Sequence, residues 1–304
     1  MIASVSSCGC VSSTPDAEAD TTTTTATSQV TEDTTTNADT EVMDPADDIV
    51  PEDTIISDET TPDISTEEQI DEAAYASSYI NTSKIGWGLG KERDSLNRPL
   101  DALNAEEKYA DYNARFLTTE GKICLTFDEG YENGYTSEIL DVLKEKNVKA
   151  VFFVTYDYCK SSPKLVKRMI AEGHTVGNHS YTHPSFPDLS EKEMIDEIMA
   201  LHDYAVENFG YEMTLFRFPK GEFSEKALSV VKNLGYTSVF WSFAYNDWDT
   251  NSQPDKTEAS EKIKTSTHSG IYLLHAVSET NAAILGGIID YWISEGYTVG
   301  ADLN

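Results

Sequence analysis

From Lys122 to the end of the chain, short apolar runs alternate with amphipathic helical patterns, and this alternation constrains the fold more than any other feature. The runs at 123–127, 150–154, 174–177, 214–217, 237–241, 270–274 and 297–299 are short and rich in β-branched or aromatic residues, as strands are. Six helical patterns lie between them. Ser162 and Pro163 open one that Gly173 stops, with Leu165, Val166, Met169 and Ile170 on a single face. Ser190 and Glu193 predict a capping box ahead of Met194, Ile195, Ile198 and Leu201. Ser224 opens a third through Leu228, Val231 and Leu234 to Gly235, and the others span 137–146, 257–265 and 280–295.

Seven strands alternating with six helices predict an α/β domain with a parallel sheet, either doubly wound or closed into a barrel. Asp128, His179, Arg217 and His275 fall at or just past the C-terminal ends of four of these strands, and Asp247 and Trp248 follow a fifth. In a barrel those ends meet at one mouth, which favours the closed arrangement. No G-x-G-x-x-G follows a strand and no fixed-period repeat occurs, which argues against a dinucleotide fold and a solenoid.

The first quarter is different in kind. Residues 1–75 hold 19 Asp and Glu and not one Lys or Arg, and the rest of the chain has 34 acids against 22 bases. Rich in Thr, Ser, Asp, Glu and Pro, this segment buries too little apolar surface to offset its ordering entropy, and it reads as a disordered acidic tether ahead of a folded domain at 76–304. Such charge makes nucleic acid an unfavourable partner. No run of 18 apolar residues suggests a membrane span. Val5-Ser6-Ser7-Cys8 resembles the lipobox of bacterial lipoproteins, although only seven residues precede Cys8 and no basic or adequate apolar leader does. Two readings of Cys8 stand side by side, a lipid anchor and an ordinary exposed cysteine. The four cysteines make no disulfide framework, and a bridge between Cys124 and Cys159 is not expected.

Five clusters could carry chemistry. Asp128 and Glu129 are adjacent acids after a strand, suited to one general base and one metal ligand, or to a plain acidic helix entry. His179 and His183, four apart, suit one metal ion or two independent surface roles; no Glu follows His179, so the H-E-x-x-H pattern fails. Arg217, with Pro219 and Gly221 behind it, suits a charge-assisted hold on a carboxylate, or the surface. Trp241 reads as core and Trp248 as a groove wall. His275 ends an apolar strand, as an acid or as a structural group. His174, His202 and His268 read as structural or surface residues.

Taken in order, T-F-D-E-G, H-x-x-x-H, R-x-P-x-G, D-W and L-x-H closely resemble the five motifs of the polysaccharide deacetylases, metal-dependent enzymes that remove acetyl groups from glycans. The resemblance covers roughly 86–303. Residues 127–136, 217–225, 239–242 and 273–281 look most like the peptidoglycan N-acetylmuramic acid deacetylases of spore-forming bacteria. It implies a distorted (β/α) barrel of about seven parallel strands, with Asp128 as general base, His275 as general acid, Arg217 as the partner of Asp128, and Asp247 in the catalytic set. His179, His183 and Glu129 stand at the metal-ligand positions, with zinc the expected divalent ion. Tyr131, Pro219, Trp248 and Leu273 fall at substrate-binding positions, Leu273 facing the acetyl methyl. Most members have Asp where this chain has Glu129, and the muramic acid subgroup varies there, so loss of that ligand need not abolish activity. The implied protein is an extracytoplasmic monomer acting on cell-wall glycan. Two alternatives remain: a chitin- or xylan-type deacetylase, and a glycan binder that has lost catalysis.

Overall fold

The computed structural model describes residues 80–266 and 269–304. The lipobox-like start, the acidic segment 1–75, the boundary at 76 and His268 lie outside the described residues. Ten strands are described: β1 (Ile85–Gly86), β2 (Ala114–Arg115), β3 (Lys122–Glu129), β4 (Val151–Val154), β5 (Thr175–Asn178), β6 (Leu215–Phe216), β7 (Glu222–Phe223), β8 (Thr237–Val239), β9 (Gly270–His275) and β10 (Thr298–Gly300). The α-helices are α1 (Leu100–Lys108), α2 (Thr136–Glu145), α3 (Tyr156–Ser161), α4 (Pro163–Ala171), α5 (Glu191–Phe209), α6 (Glu225–Asn233), α7 (Lys256–Lys264) and α8 (Glu279–Ser294).

All seven expected strands form, and every pairing in the main sheet is parallel. An eighth strand, β2, joins them beside β8. The order runs β9, β3, β4, β5, β6, β8, β2. Strand β3 is the hub. Its residues 123–128 pair with β9, so β10 at 122–124 and β4 at 126–129 must share the opposite edge in tandem. Past β8 the chain crosses to β9, where Phe243 bridges Tyr272, Ser242 N–H donates to the Ile271 carbonyl at 2.9 Å and Leu273 N–H donates to Phe243 at 2.8 Å. That contact closes the curled sheet at its mouth, giving the distorted barrel.

Alternation along the strands separates two cores. Cys124, Val151, Phe153, Val239 and Ile271 fill the barrel interior. Leu125, Phe127, Phe152, Val154 and Leu274 face outward into the layer packed by the helices. Both described cysteines are free and buried, and burial pushes each thiol up to about 12, so neither is reactive.

Helix entry follows the sequence in most places. Ser190 Oγ accepts from Glu193 N–H at 3.3 Å while Glu193 returns a carboxylate oxygen to Ser190 N–H at 2.7 Å, completing the capping box. Ser224 caps α6 through Ala227 N–H. Ser162 does not cap α4 with its side chain; α3 runs straight into α4, and Leu165 N–H donates to the Ser162 carbonyl at 3.0 Å instead.

Candidate active site

The mouth of the barrel holds a cavity of about 630 Å³ whose wall includes Asp128, His179, His183 and His275. They arrive from the ends of three strands or the loops after them, His179 and His183 both from the loop after β5. Asp128 is the penultimate residue of β3, His179 follows β5, Arg217 follows β6, and His275 ends β9. Asp128 and His275 are register partners on adjacent strands.

Arg217 is completely buried and distributes its donors among four acceptors. Nη1 reaches Asp128 Oδ1 at 2.8 Å and Thr126 Oγ1 at 2.7 Å, Nε reaches the Val239 carbonyl at 3.0 Å, and Nη2 reaches that of Phe240 at 3.1 Å. Its guanidinium also lies 4.2 Å from the Phe153 ring centre. Burial pushes the Asp128 carboxyl up, but Arg217, His179 and His275 together outweigh it and hold the group below the ordinary carboxylate range.

His179 turns Nδ1 to the Arg217 carbonyl at 2.8 Å, so Nδ1 carries the proton and Nε2 offers its lone pair to the cavity, 3.5 Å from Asp128 Oδ2. The His183 ring lies 4.8 Å from that of His179. Burial lowers both imidazoles, His183 to about 4 with further help from His179, so both are neutral at physiological pH. Two neutral imidazoles, one with its tautomer fixed from behind, fit a divalent cation.

Glu129 does not join them. It follows Asp128 in an unbroken strand, so its side chain points away from the mouth toward the helix layer. There it is fully buried, both carboxylate oxygens lack a hydrogen-bond partner, and burial, aided by the charges of Glu132 and Asp128, drives its carboxyl well above the usual range. Among the described residues no three His, Cys, Asp or Glu side chains gather as a metal-binding group. Of the three ligand positions expected from the sequence, the structure brings His179 and His183 together, places Asp128 beside them, and sets Glu129 apart.

His275 faces Asp128 from β9. Its Nδ1 pairs with Asp247 Oδ1 at 2.8 Å, and its backbone N–H donates to Asp247 Oδ2 at 2.9 Å. Burial lowers the imidazole, but the hydrogen bond and charge of Asp247, with Asp128 adding to them, raise it above the ordinary histidine value. Asp247 itself is completely buried.

Tyr131 and Trp248 stand on the cavity wall, 52% and 59% exposed, large apolar faces of the kind that stack on sugar rings. Pro219 and Leu273 are placed differently. Pro219 is buried in a tight turn, Leu273 is only 7% exposed one interior layer below His275, and neither lines the cavity. His174 and His202 are structural: one accepts from Ala150 N–H at 3.1 Å, the other pairs with the Tyr236 hydroxyl at 2.6 Å. Thr126 is the residue the sequence reading missed. It accepts from Arg217 and donates to the Tyr272 carbonyl at 2.7 Å, and its position two before Asp128 on the same strand face was the available signal.

Three comparisons bear on this geometry. A family model described as polysaccharide deacetylase matches residues 117–239. The peptidoglycan-N-acetylmuramic acid deacetylase PdaA of Bacillus subtilis is 41% identical over 231 residues, 74% of this chain and 87% of that protein. Its solved structure, described as a family 4 carbohydrate esterase, superposes with a TM-score of 0.68 at 39% identity, over 72% of this chain and 95% of that one. A family 4 carbohydrate esterase structure from Bacillus anthracis gives a TM-score of 0.60 at 35% identity, over 72% of this chain and 94% of that one. With 41% identity to PdaA over 74% of this chain and 87% of that relative, together with the family-model match, the chain belongs to the polysaccharide deacetylase family.

Proposed function

We propose that the protein hydrolyses the acetamide of an N-acetylated amino sugar in the cell wall, with N-acetylmuramic acid of peptidoglycan as the substrate. The observation that carries this is the pairing of Asp128 and His275 on adjacent strands, the first ion-paired with Arg217 and the second held through Nδ1 by Asp247. Amide hydrolysis needs one group that accepts a proton from water and another that delivers one to the departing amine. Asp128, ionised, takes the water proton. His275, protonated on Nε2 with Nδ1 committed to Asp247, gives its proton to the amine, and acetate leaves. A backbone N–H near Tyr131 stabilises the oxyanion that forms between these steps.

His179 and His183 hold a divalent cation, zinc in this reading, which supplies Lewis-acid polarisation of the acetyl carbonyl. Tyr131 and Trp248 hold the sugar. In the same reading the protein works outside the cytoplasmic membrane as a monomer, tied to it through a lipid on Cys8, with the acidic segment as spacer. The two proteins named above that carry a peptidoglycan or carbohydrate esterase description support the substrate class.

The test is mass spectrometry of muropeptides, with and without stem peptides, after incubation with the full chain and zinc, beside chito-oligosaccharides in parallel. Acetyl loss confined to muramic acid is the expected result. Loss confined to the chito-oligosaccharides would retain the chemistry and discard the substrate. No loss from either, with Asp128→Asn behaving as the parent, would sink the enzyme and favour a glycan binder.

A further inference from the structure

The Asp247 carboxylate has a second partner residue besides His275. Asn281, fully buried in the first turn of α8, donates its side-chain amide to Asp247 Oδ2 at 2.6 Å and to the His275 carbonyl at 3.1 Å. Its amide oxygen takes the hydroxyl of Tyr245, and its backbone N–H is held by Ser278 Oγ, the cap of α8, at 3.1 Å. Because a carboxylate only accepts, the amide NH₂ must face Asp247, which leaves the oxygen for Tyr245. Burial and the nearby Asp247 charge push the Tyr245 phenol up, so it remains a donor throughout the working pH range.

The Asp247 carboxylate thus receives three hydrogen bonds, and two of them come from His275, the residue it orients. Asn281 supplies the one donor from a separate element. We infer that Asn281 is a positioning residue for deacetylation, which fixes the plane and shares the charge of the Asp247 carboxylate that holds His275, with Tyr245 locking the amide the right way round. This rests on the reading of His275 as the acid. Aspartate at 281 would set acceptor against acceptor at Asp247. Leucine there keeps the bulk and removes the donor. With one fewer N–H sharing its charge, Asp247 binds the imidazolium more tightly, and a proton held more tightly is delivered more slowly.

The experiment compares the full chain with Asn281→Leu, Asn281→Asp and Tyr245→Phe, measuring kcat and KM on the acetylated oligosaccharide. Independently of turnover, the His275 imidazole is titrated by NMR in protein carrying ¹⁵N-labelled histidine. Around His275 the other charged groups are Asp128, Arg217 and His179, all retained in every variant. In Asn281→Leu, kcat should fall about tenfold to a hundredfold with KM within about twofold, and the His275 midpoint should rise by about half a pH unit or more. Asn281→Asp should lose more, and Tyr245→Phe about two- to fivefold in kcat. A loss confined to KM, a kcat within about twofold of the parent, or an unmoved midpoint overturns the inference. Should Asn281→Leu fail to fold, Tyr245→Phe decides instead, and a parental kcat or an unmoved His275 midpoint in that variant overturns the inference. If the parent removes no acetyl group from any glycan, the functional reading fails while the NMR comparison still decides the role of Asn281.

Discussion

Arg217 rests its guanidinium on the face of the Phe153 ring, 4.2 Å from the ring centre, and Phe153 occupies that place because residue 177 on the neighbouring strand is glycine. A Cβ at Gly177 would lie 2.5 Å from the Phe153 ring edge and 3.3 Å from the Leu215 carbonyl. Gly177→Ala should therefore tilt the ring, displace the arginine and loosen its hold on Asp128. We expect kcat to fall about tenfold to a hundredfold and stability to drop by about 1–3 kcal/mol, read from steady-state rates and urea denaturation. An alanine variant with parental rates would detach Phe153 from catalysis.

Glu129 carries a buried carboxyl with no partner, and its folded pKa lies above the unfolded one. For an acid shifted upward, stability is highest below the unfolded value and declines as pH rises toward the folded value, so at neutral pH the residue is a liability. Glu129→Met should raise stability at pH 7 by about 1–3 kcal/mol. It should also leave zinc affinity, measured by calorimetry, within about twofold, whereas His183→Ala should weaken zinc strongly. A parallel loss of zinc in Glu129→Met would restore the three-ligand set.

His174 gives the opposite pH signature. It is 4% exposed, accepts a hydrogen bond from Ala150 N–H, and burial lowers it to about 4 from an ordinary 6.5. The unfolded chain takes up this proton first, so the contribution of His174 is complete above the unfolded value and is lost as pH falls from about 6.5 to about 4. The loss is on the order of 3 kcal/mol, and chemical denaturation across that window should show it. His174→Asn, which still accepts from Ala150, should flatten the slope.

Tyr131 and Trp248 should act on binding rather than on chemistry. Replacing Trp248 with Ala removes an exposed stacking face from the cavity wall. KM should rise about threefold to tenfold with kcat retained. A fall in kcat at unchanged KM would place Trp248 in the proton transfers instead.

Much of this architecture was legible because long-range order here has local signatures. Each of the seven expected strands carries several apolar or β-branched residues, and the strong helix entries carry Ser at the cap. What escaped lacked a period to read. Strand β2 has two residues, α3 has six, and α1 buries only Ala102 and Ala105, which make no apolar stripe. In the site, Asp128, His179, Arg217, Asp247 and His275 came together as their positions at strand ends required. Glu129 did not, because β3 continues in regular alternation through it and turns it to the other face. Pro219 and Leu273 were carried over from motifs, which report sequence position and not which layer a side chain occupies.

Strand β3 also sets when this protein can become an enzyme. It is the first long strand of the barrel to leave the ribosome, yet one edge waits for β9 at 270–275 and part of the other for β10 at 298–300. Loop closure over such separations comes late and slowly. Asp128 therefore meets His275 only when synthesis is nearly finished. Chains that end before β9 lack His275 and have no assembled site.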